Sequence, residues 1–234
     1  MTYNNLIPVE RNIKCIKSTK HGISYIPIPK NCSSSIKSYM HELIFAKPFV
    51  PFKKHTGKML HIHSFFESDY KLNNHRETIF KKSSDEISFV VFREPVRRFI
   101  SAFRNRVISH GEFQCNKKKF DINDFVDDLE KNINSHESLM HHMSSQISWT
   151  GRDLSIFDLV YDREDTWQLN TLLKKITNTK NEFSKLQIGG PWIELKQLTQ
   201  KSLFKLIDFY KDDYNCLPHM YNPEKLIKQH GNLN

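Results

Sequence analysis

Two short segments constrain the fold more than anything else in the chain. ISYIPIP (23–29) is an apolar run that passes through Lys30, Asn31 and Cys32 into SSSIKSYMHELIF (33–45), where Ile36, Met40, Leu43 and Ile44 recur at helical spacing. EISFVVF (86–92) does the same: the clearest strand in the sequence runs into EPVRRFISAFRNRVI, a helix with Pro95 where the first turn tolerates a missing N–H. DINDFVDDLEKNI (121–133) then reads as a helix, SIFDLVYD (155–162) as a strand and DTWQLNTLLKKIT (165–177) as a helix. Such alternation predicts an α/β chain with a P-loop-like three-layer fold: a central, mostly parallel sheet flanked by helices.

The remaining segments are less regular. Residues 47–60, with prolines, a glycine and clustered lysines, read as a loop, and a second loop covers 67–86. The last third is helix-rich over 191–214 after a Gly-Gly-Pro break, and the polar tail 217–234 reads as irregular. With 234 residues, 38% hydrophobic and 12% aromatic, the chain suits one domain over 1–234, with a core of about 23–170 and a helical part of about 171–234. No apolar stretch approaches a membrane span and the N-terminal residues lack a signal-peptide core, so a cytoplasmic protein is expected, or a Golgi-lumen one if the chain is trimmed from a longer protein. Cys15, Cys32, Cys115 and Cys216 form no C-x-x-C pair, which signals neither zinc nor a disulfide framework.

A formal charge of +9 and a pI near 9.3 favour an anionic partner without choosing among nucleic acid, anionic glycan, acidic membrane and polyphosphorylated small molecule. The first strand-turn-helix narrows the choice. Lys30 at the strand end and Ser33, Ser34 and Ser35 at the helix start make a cation, hydroxyls and unpaired backbone N–H groups converge, as a phosphate or sulfate requires. The same residues also suit a plain N-cap beside a surface lysine. No G-x-x-x-x-G-K-[ST] loop is present, which argues against a magnesium-dependent NTPase. In the second unit of pattern, Arg93 offers a bidentate fork at the strand end and Ser101 lies two turns into the helix. Phe99, Ile100 and Phe103 are expected in the core, and Arg97, Arg98, Arg104 and Arg106 on a solvated basic face, which also suits nucleic acid.

PKNCSSS and FREPVRRFISAF, in this order and about 60 residues apart, resemble the 5′-phosphosulfate and 3′-phosphate segments of sulfotransferases that use 3′-phosphoadenosine 5′-phosphosulfate (PAPS). The wording of the second segment is most similar to the carbohydrate (polysaccharide) branch. The resemblance implies that Lys30 contacts the bridging oxygen and that the turn from Asn31 and Cys32 through Ser33, Ser34 and Ser35 cradles the 5′-phosphate and sulfuryl group. It implies that Arg93 and Ser101 hold the 3′-phosphate. Cys32 stands where many members carry glycine.

LHIHSFFESD (60–69) resembles the HxHxxF stretch that supplies the base in uronyl-type heparan sulfotransferases, which implies His63 as base and His61 as a catalytic or substrate-binding neighbour on the same side of an extended segment. A half-buried or weakly metal-binding pair is the bland alternative. His142 and Gln146, after His141, resemble a later histidine and glutamine pair that lines the acceptor cleft or braces a helix-loop junction; helical spacing puts them on one face. Glu164 matches an acidic strand end of the family. His21, His41, His55, His75, His110 and His230 read as surface.

The expected reaction is therefore direct in-line transfer of a sulfuryl group from PAPS to a hydroxyl of an anionic or neutral glycan, leaving adenosine 3′,5′-bisphosphate, with no metal and no nucleic acid. Lys30, Lys37, Lys58, Arg93 and Arg97 are expected to steer the anions. A P-loop small-molecule kinase and a basic nucleic-acid-binding protein are the alternatives.

Overall fold

The continuous apolar runs form the middle of a five-stranded sheet. The structure is a computed structural model, and residues 14–66, 78–79, 84–114, 120–183 and 192–232 are described. In chain order the first elements are β1 (Lys14–Ser18), β2 (Ile23–Ile26), α1 (Ser33–Phe45), β3 (Phe52–Lys53), β4 (Met59–Leu60), a single turn α2 (Ile62–Ser64), β5 (Thr78–Ile79) and β6 (Ile87–Phe92). Then come α3 (Pro95–Phe103), α4 (Ile122–Asp127), α5 (Leu129–Asn134), α6 (Glu137–Met143), α7 (Ile147–Thr150), β7 (Leu159–Asp162) and α8 (Thr166–Thr177). The chain closes with α9 (Gln200–Phe209), α10 (Lys211–Cys216) and α11 (Pro223–Gly231). Among the described residues no helix is long and apolar enough to cross a membrane.

The strand order is β5-β1-β2-β6-β7, with β2, β6 and β7 parallel and β1 antiparallel to both its neighbours. A mostly parallel sheet flanked by helices is thus the architecture, as the alternation of elements requires. The chain divides into two compact units: Met1–Phe92 with Trp149–Gln187, and Arg93–Ser148 with Ile188–Asn234.

The first unit holds the sheet. Tyr25 pairs with Phe89 in register and their rings stack at 4.9 Å. Phe89 and Val91 point into a cluster with Ile36, Tyr39, Met40 and Leu43 of α1 and Leu169 and Leu173 of α8. The alternate residues Val90 and Phe92 are equally buried, so β6 is covered on both faces. Truncating Phe89 to alanine is expected to cost about 3–5 kcal/mol, the usual price of a large aromatic cavity. The β7 register is set at its start by Asp158, which accepts from Ser88 N (2.9 Å) and Ser88 Oγ (2.8 Å). Gly22 turns β1 into β2 with φ 59, and a Cβ there would meet Asp85 O at 3.1 Å.

Several boundaries differ from the expected ones. β2 stops at Ile26 because Pro27 and Pro29 carry no N–H for the ladder. β1 completes the sheet although no element was expected there. Residues 52–60, expected as loop, form the β3–β4 hairpin. Of the expected loop 67–86, residues 67–77 and 80–83 lie outside the described residues, and β5 falls within the range. The strand expected from residue 155 begins with a 3-10 turn, and β7 covers only its last residues.

In the second unit α3 buries Val96, Phe99, Ile100 and Phe103, and Phe99 and Phe103 meet Phe125 of α4 at 6.0 and 5.4 Å. Beyond Phe103 the expected helix continues as a π-helix over Arg104–Ser109. The expected helix 121–133 is broken at Asp128, whose backbone (φ −118, ψ 44) leaves the helical region. The tail is not irregular: Asn222 caps α11 by accepting from Glu224 N and Lys225 N, Pro223 occupies the first turn, and Leu226 and His230 are buried.

Candidate functional site

The turn between β2 and α1 is built on two non-glycine residues in the left-handed region, Lys30 (φ 70) and Cys32 (φ 58). Each such residue costs about 1–2 kcal/mol relative to a right-handed conformation, so the surroundings must hold it. Asn31 does so: it is fully buried and its Nδ2 donates to Val91 O at 2.9 Å, tying the turn to β6. The Asn31 amide is thus turned toward the sheet, which leaves to the turn's backbone any contact Asn31 makes with a cofactor. Cys32 takes a positive φ of the kind that glycine favours.

Cys32 is the N-cap residue of α1, no side chain caps the helix, and its first turn holds no acid. The plain N-cap role for Ser33 or Ser34 is therefore corrected: both lie inside the helix. By contrast Glu94, Asp121, Thr199 and Asn222 cap α3, α4, α9 and α11 with their side chains. An uncapped, acid-free N-terminus of a 13-residue helix, with Lys30 beside it and the Ser33, Ser34 and Ser35 hydroxyls in the first turn, is chemically suited to a phosphate-type anion. Lys37, one turn further, is buried at 4% exposure and does not belong to an open basic surface.

His63 reaches this turn. Its Nε2 lies 2.7 Å from Ser34 Oγ, on the helical turn α2 that follows the hairpin. The extended segment expected for His61 and His63 is replaced by that turn, which starts at Ile62; His61 keeps an extended backbone and is exposed, whereas His63 is half-buried. The turn is anchored by Phe65, whose ring meets His41 at 5.0 Å, Phe45 at 5.7 Å and Phe49 at 5.6 Å. His41 is consequently buried rather than on the surface, and burial lowers its pKa although its Nδ1 lies 3.1 Å from Lys47 O. His230 is likewise buried, with Nε2 2.8 Å from Leu198 O, and His75 lies outside the described residues.

Arg163, the first residue after β7, belongs to the same unit. Its guanidinium pairs with Glu164 and sits beside the Cys32 thiol; burial lowers its pKa, but the two partners more than offset this and leave it raised. Glu164 is thus an ion-pair partner at the strand end. Arg163 had no signal in the sequence beyond its place after a strand.

In the second unit Arg93 is held by Gln146. Arg93 N donates to Gln146 Oε1 at 3.0 Å and Gln146 Nε2 donates to Arg93 O at 2.8 Å, so one amide spans both backbone groups. Gln146 is fully buried and has no surface to offer an acceptor. It is held in turn by Asp213, which accepts from Gln146 N and Ile147 N, both at 3.0 Å, and from the Ser145 hydroxyl. Asp213 is fully buried; burial raises its carboxyl pKa, while these donors and the Arg98 charge oppose the shift. Arg98 is itself fully buried, donating to Ser144 O at 2.6 Å, which corrects its expected place on a solvated face. His142 lies 2.8 Å from Arg106 Nη2 and 2.8 Å from Ser138 O. Because α6 ends at Met143 and Ser144 is extended, His142 and Gln146 do not share a helical face. Ser101 sits half-buried on α3.

Glu94, the residue after Arg93, caps α3 at Val96 N (3.3 Å) and Arg97 N (2.7 Å) and accepts from the Tyr214 hydroxyl. Burial raises its pKa, against the pull of these donors. Asp213 and Tyr214 escaped the sequence reading, since nothing in KDDY distinguishes a buried acid from a surface one. Within the first unit, then, Lys30, Cys32, Ser33, Ser34, Ser35 and His63 are brought together. Within the second, Arg93 and Gln146 are. Among the described residues no group of three His, Cys, Asp or Glu side chains is placed to hold a metal ion.

No curated protein and no solved structure matches the chain. A sequence profile described as the sulfotransferase family matches residues 14–219, which covers most of the chain, including the Lys30–Ser35 turn, His63, Arg93, Gln146 and Asp213. The chain therefore belongs to the sulfotransferase family, and it is a transferase.

Proposed function

We propose that this transferase moves a sulfuryl group from PAPS to a hydroxyl of a carbohydrate acceptor, with His63 as the base. The observation that carries the reading is the 2.7 Å contact between His63 Nε2 and Ser34 Oγ, which joins the imidazole to the first turn of the anion-suited helix. The match to the sulfotransferase family along residues 14–219 supports treating the chain as one sulfotransferase domain.

When bound, the donor supplies a sulfuryl group on a 5′-phosphate. Lys30 and the backbone N–H groups of Ser33, Ser34 and Ser35 hold that end and stabilise the negative charge that grows on the leaving phosphate oxygen. His63 accepts the hydroxyl proton of the acceptor as the acceptor oxygen bonds to sulfur and the bond from sulfur to the phosphate oxygen breaks. The proton ends on the imidazole and the electron pair on the phosphate, so the step balances without a further reactant. Arg93 and Ser101 are assigned to the 3′-phosphate on the motif that carries them, with Gln146 positioning Arg93 through its backbone. His61 and His142 are assigned to the acceptor side.

Calorimetric titration of the metal-free protein with adenosine 3′,5′-bisphosphate and, separately, with ATP tests this reading. Tight binding of the bisphosphate without magnesium is expected; a preference for magnesium ATP, or no binding of either, overturns it.

A further inference from the structure

The β3–β4 hairpin has no part in the chemistry above, yet it exposes basic and apolar side chains together. From Leu43 to Phe66 the chain contains no acidic residue and carries Lys47, Lys53, Lys54 and Lys58 with His55, His61 and His63. The strands pair Phe52 with Leu60 and Lys53 with Met59, and Lys54 N donates to Lys58 O at 2.9 Å to close the loop. Gly57 turns it with φ 79, and nothing stands within 4 Å of where its Cβ would be. Lys47, Lys53, His55 and Lys58 are exposed, and Val50, Phe52 and Met59 are 69%, 48% and 38% exposed.

We propose that this hairpin is the docking surface for the acidic part of a polyanionic polysaccharide acceptor, the stretch flanking the sugar that receives the sulfuryl group. The inference rests on the sulfotransferase reading and adds to it the acceptor's charge and the element that reads it. Four lysines with no acid among them make a local positive field that a carboxylated or sulfated chain complements. Leu60 is followed directly by His61 and the His63 turn, so a chain lying along the hairpin leads to the proposed base. Exposed Met59, paired with Lys53 on one face, offers apolar surface to the C–H face of a sugar ring beside that lysine. A bilayer is a poorer partner: cross-strand pairs share a face, so Phe52 lies with Leu60 and Met59 with Lys53, on opposite sides of the hairpin. A membrane-docking element needs its apolar side chains on one side.

The test is a charge-removal variant of the full chain, Lys53→Ala/Lys54→Ala/Lys58→Ala, compared with wild type by fluorescence anisotropy on labelled chondroitin, dextran and heparin, and by titration with adenosine 3′,5′-bisphosphate. The variant is expected to bind the two acidic chains about tenfold more weakly, from the loss of two exposed lysine charges and one half-buried one, with the bisphosphate affinity within about twofold of wild type. Wild-type binding should weaken as salt rises, and dextran should bind neither protein. Unchanged affinity for the acidic chains, or equal affinity for dextran, overturns the proposal. So does loss of binding to phosphatidylserine vesicles in the variant with polysaccharide affinity intact, which assigns the hairpin to a membrane. Because anisotropy needs no turnover, hairpin-dependent polysaccharide binding by a protein that ignores the bisphosphate would defeat the sulfotransferase reading and leave the hairpin assignment standing.

Discussion

Replacing Gln146 with leucine keeps the volume of a fully buried side chain and removes the amide that spans Arg93. Two backbone groups lose their partners, Arg93 N at 3.0 Å and Arg93 O at 2.8 Å, while the 3.5 Å contact from Gln146 Nε2 to Asp213 is too long to add much. An unsatisfied polar group costs about 1–3 kcal/mol when buried, and Arg93 is half-buried, so the lower half applies and the sum is about 2–4 kcal/mol. With a urea m-value of about 2 kcal/mol/M this lowers the midpoint by about 1–2 M, read by circular dichroism. Gln146→Glu is the control: the carboxylate still accepts from Arg93 N but cannot donate to Arg93 O, and it lies near the Asp213 carboxylate, so it should be no better than leucine near neutral pH. On the proposed function, adenosine 3′,5′-bisphosphate affinity falls in both variants because Arg93 is no longer held. A leucine variant with a midpoint within about 0.3 M of wild type, below a single hydrogen bond's worth, would refute the assignment of Gln146 as the brace of Arg93.

Further outcomes are expected. His63→Ala should reduce turnover by about 10²–10⁴-fold with bisphosphate affinity retained, whereas Arg93→Ala should lose affinity first; equal binding losses in calorimetry would contradict this division of roles. Asp213→Asn replaces one of the two carboxylate oxygens that accept from Gln146 N and Ile147 N with an NH2 group and should cost about 1–3 kcal/mol in denaturant unfolding; a loss under about 0.5 kcal/mol would count against Asp213 as the acceptor that holds Gln146. For His41 the sign follows from burial: its folded pKa is lowered, so the stability it contributes is present above the ordinary histidine pKa of about 6.5 and is lost as pH falls below it. Wild type should therefore lose more stability than His41→Gln between about pH 7 and pH 5; parallel profiles would show that His41 does not titrate with unfolding.

Local signals determined a good part of this protein. Apolar runs ending in a turn and a 3.6-residue pattern located β2–α1 and β6–α3, because a buried parallel strand and its crossover helix must each carry their own hydrophobic pattern. The Lys30 to Ser35 turn and Arg93 were visible for the same reason, since the anion chemistry at strand ends is carried by consecutive residues. The α11 helix was also legible in Asn222-Pro223-Glu224, a capping signal passed over because the segment is polar. Tertiary structure decided the rest. Whether Arg98 and Asp213 are solvated or buried depends on neighbours from distant segments, and no periodicity distinguishes the two. Asn31 binds the backbone of β6, and Gln146 that of Arg93, across 60 and 53 residues, contacts that no local pattern announces. His61 and His63 part company because packing of Phe65 on the α1 aromatics winds the chain into a turn. Sequence spacing fixes which face a side chain takes only once the backbone period is known, and here the long-range contacts set the period.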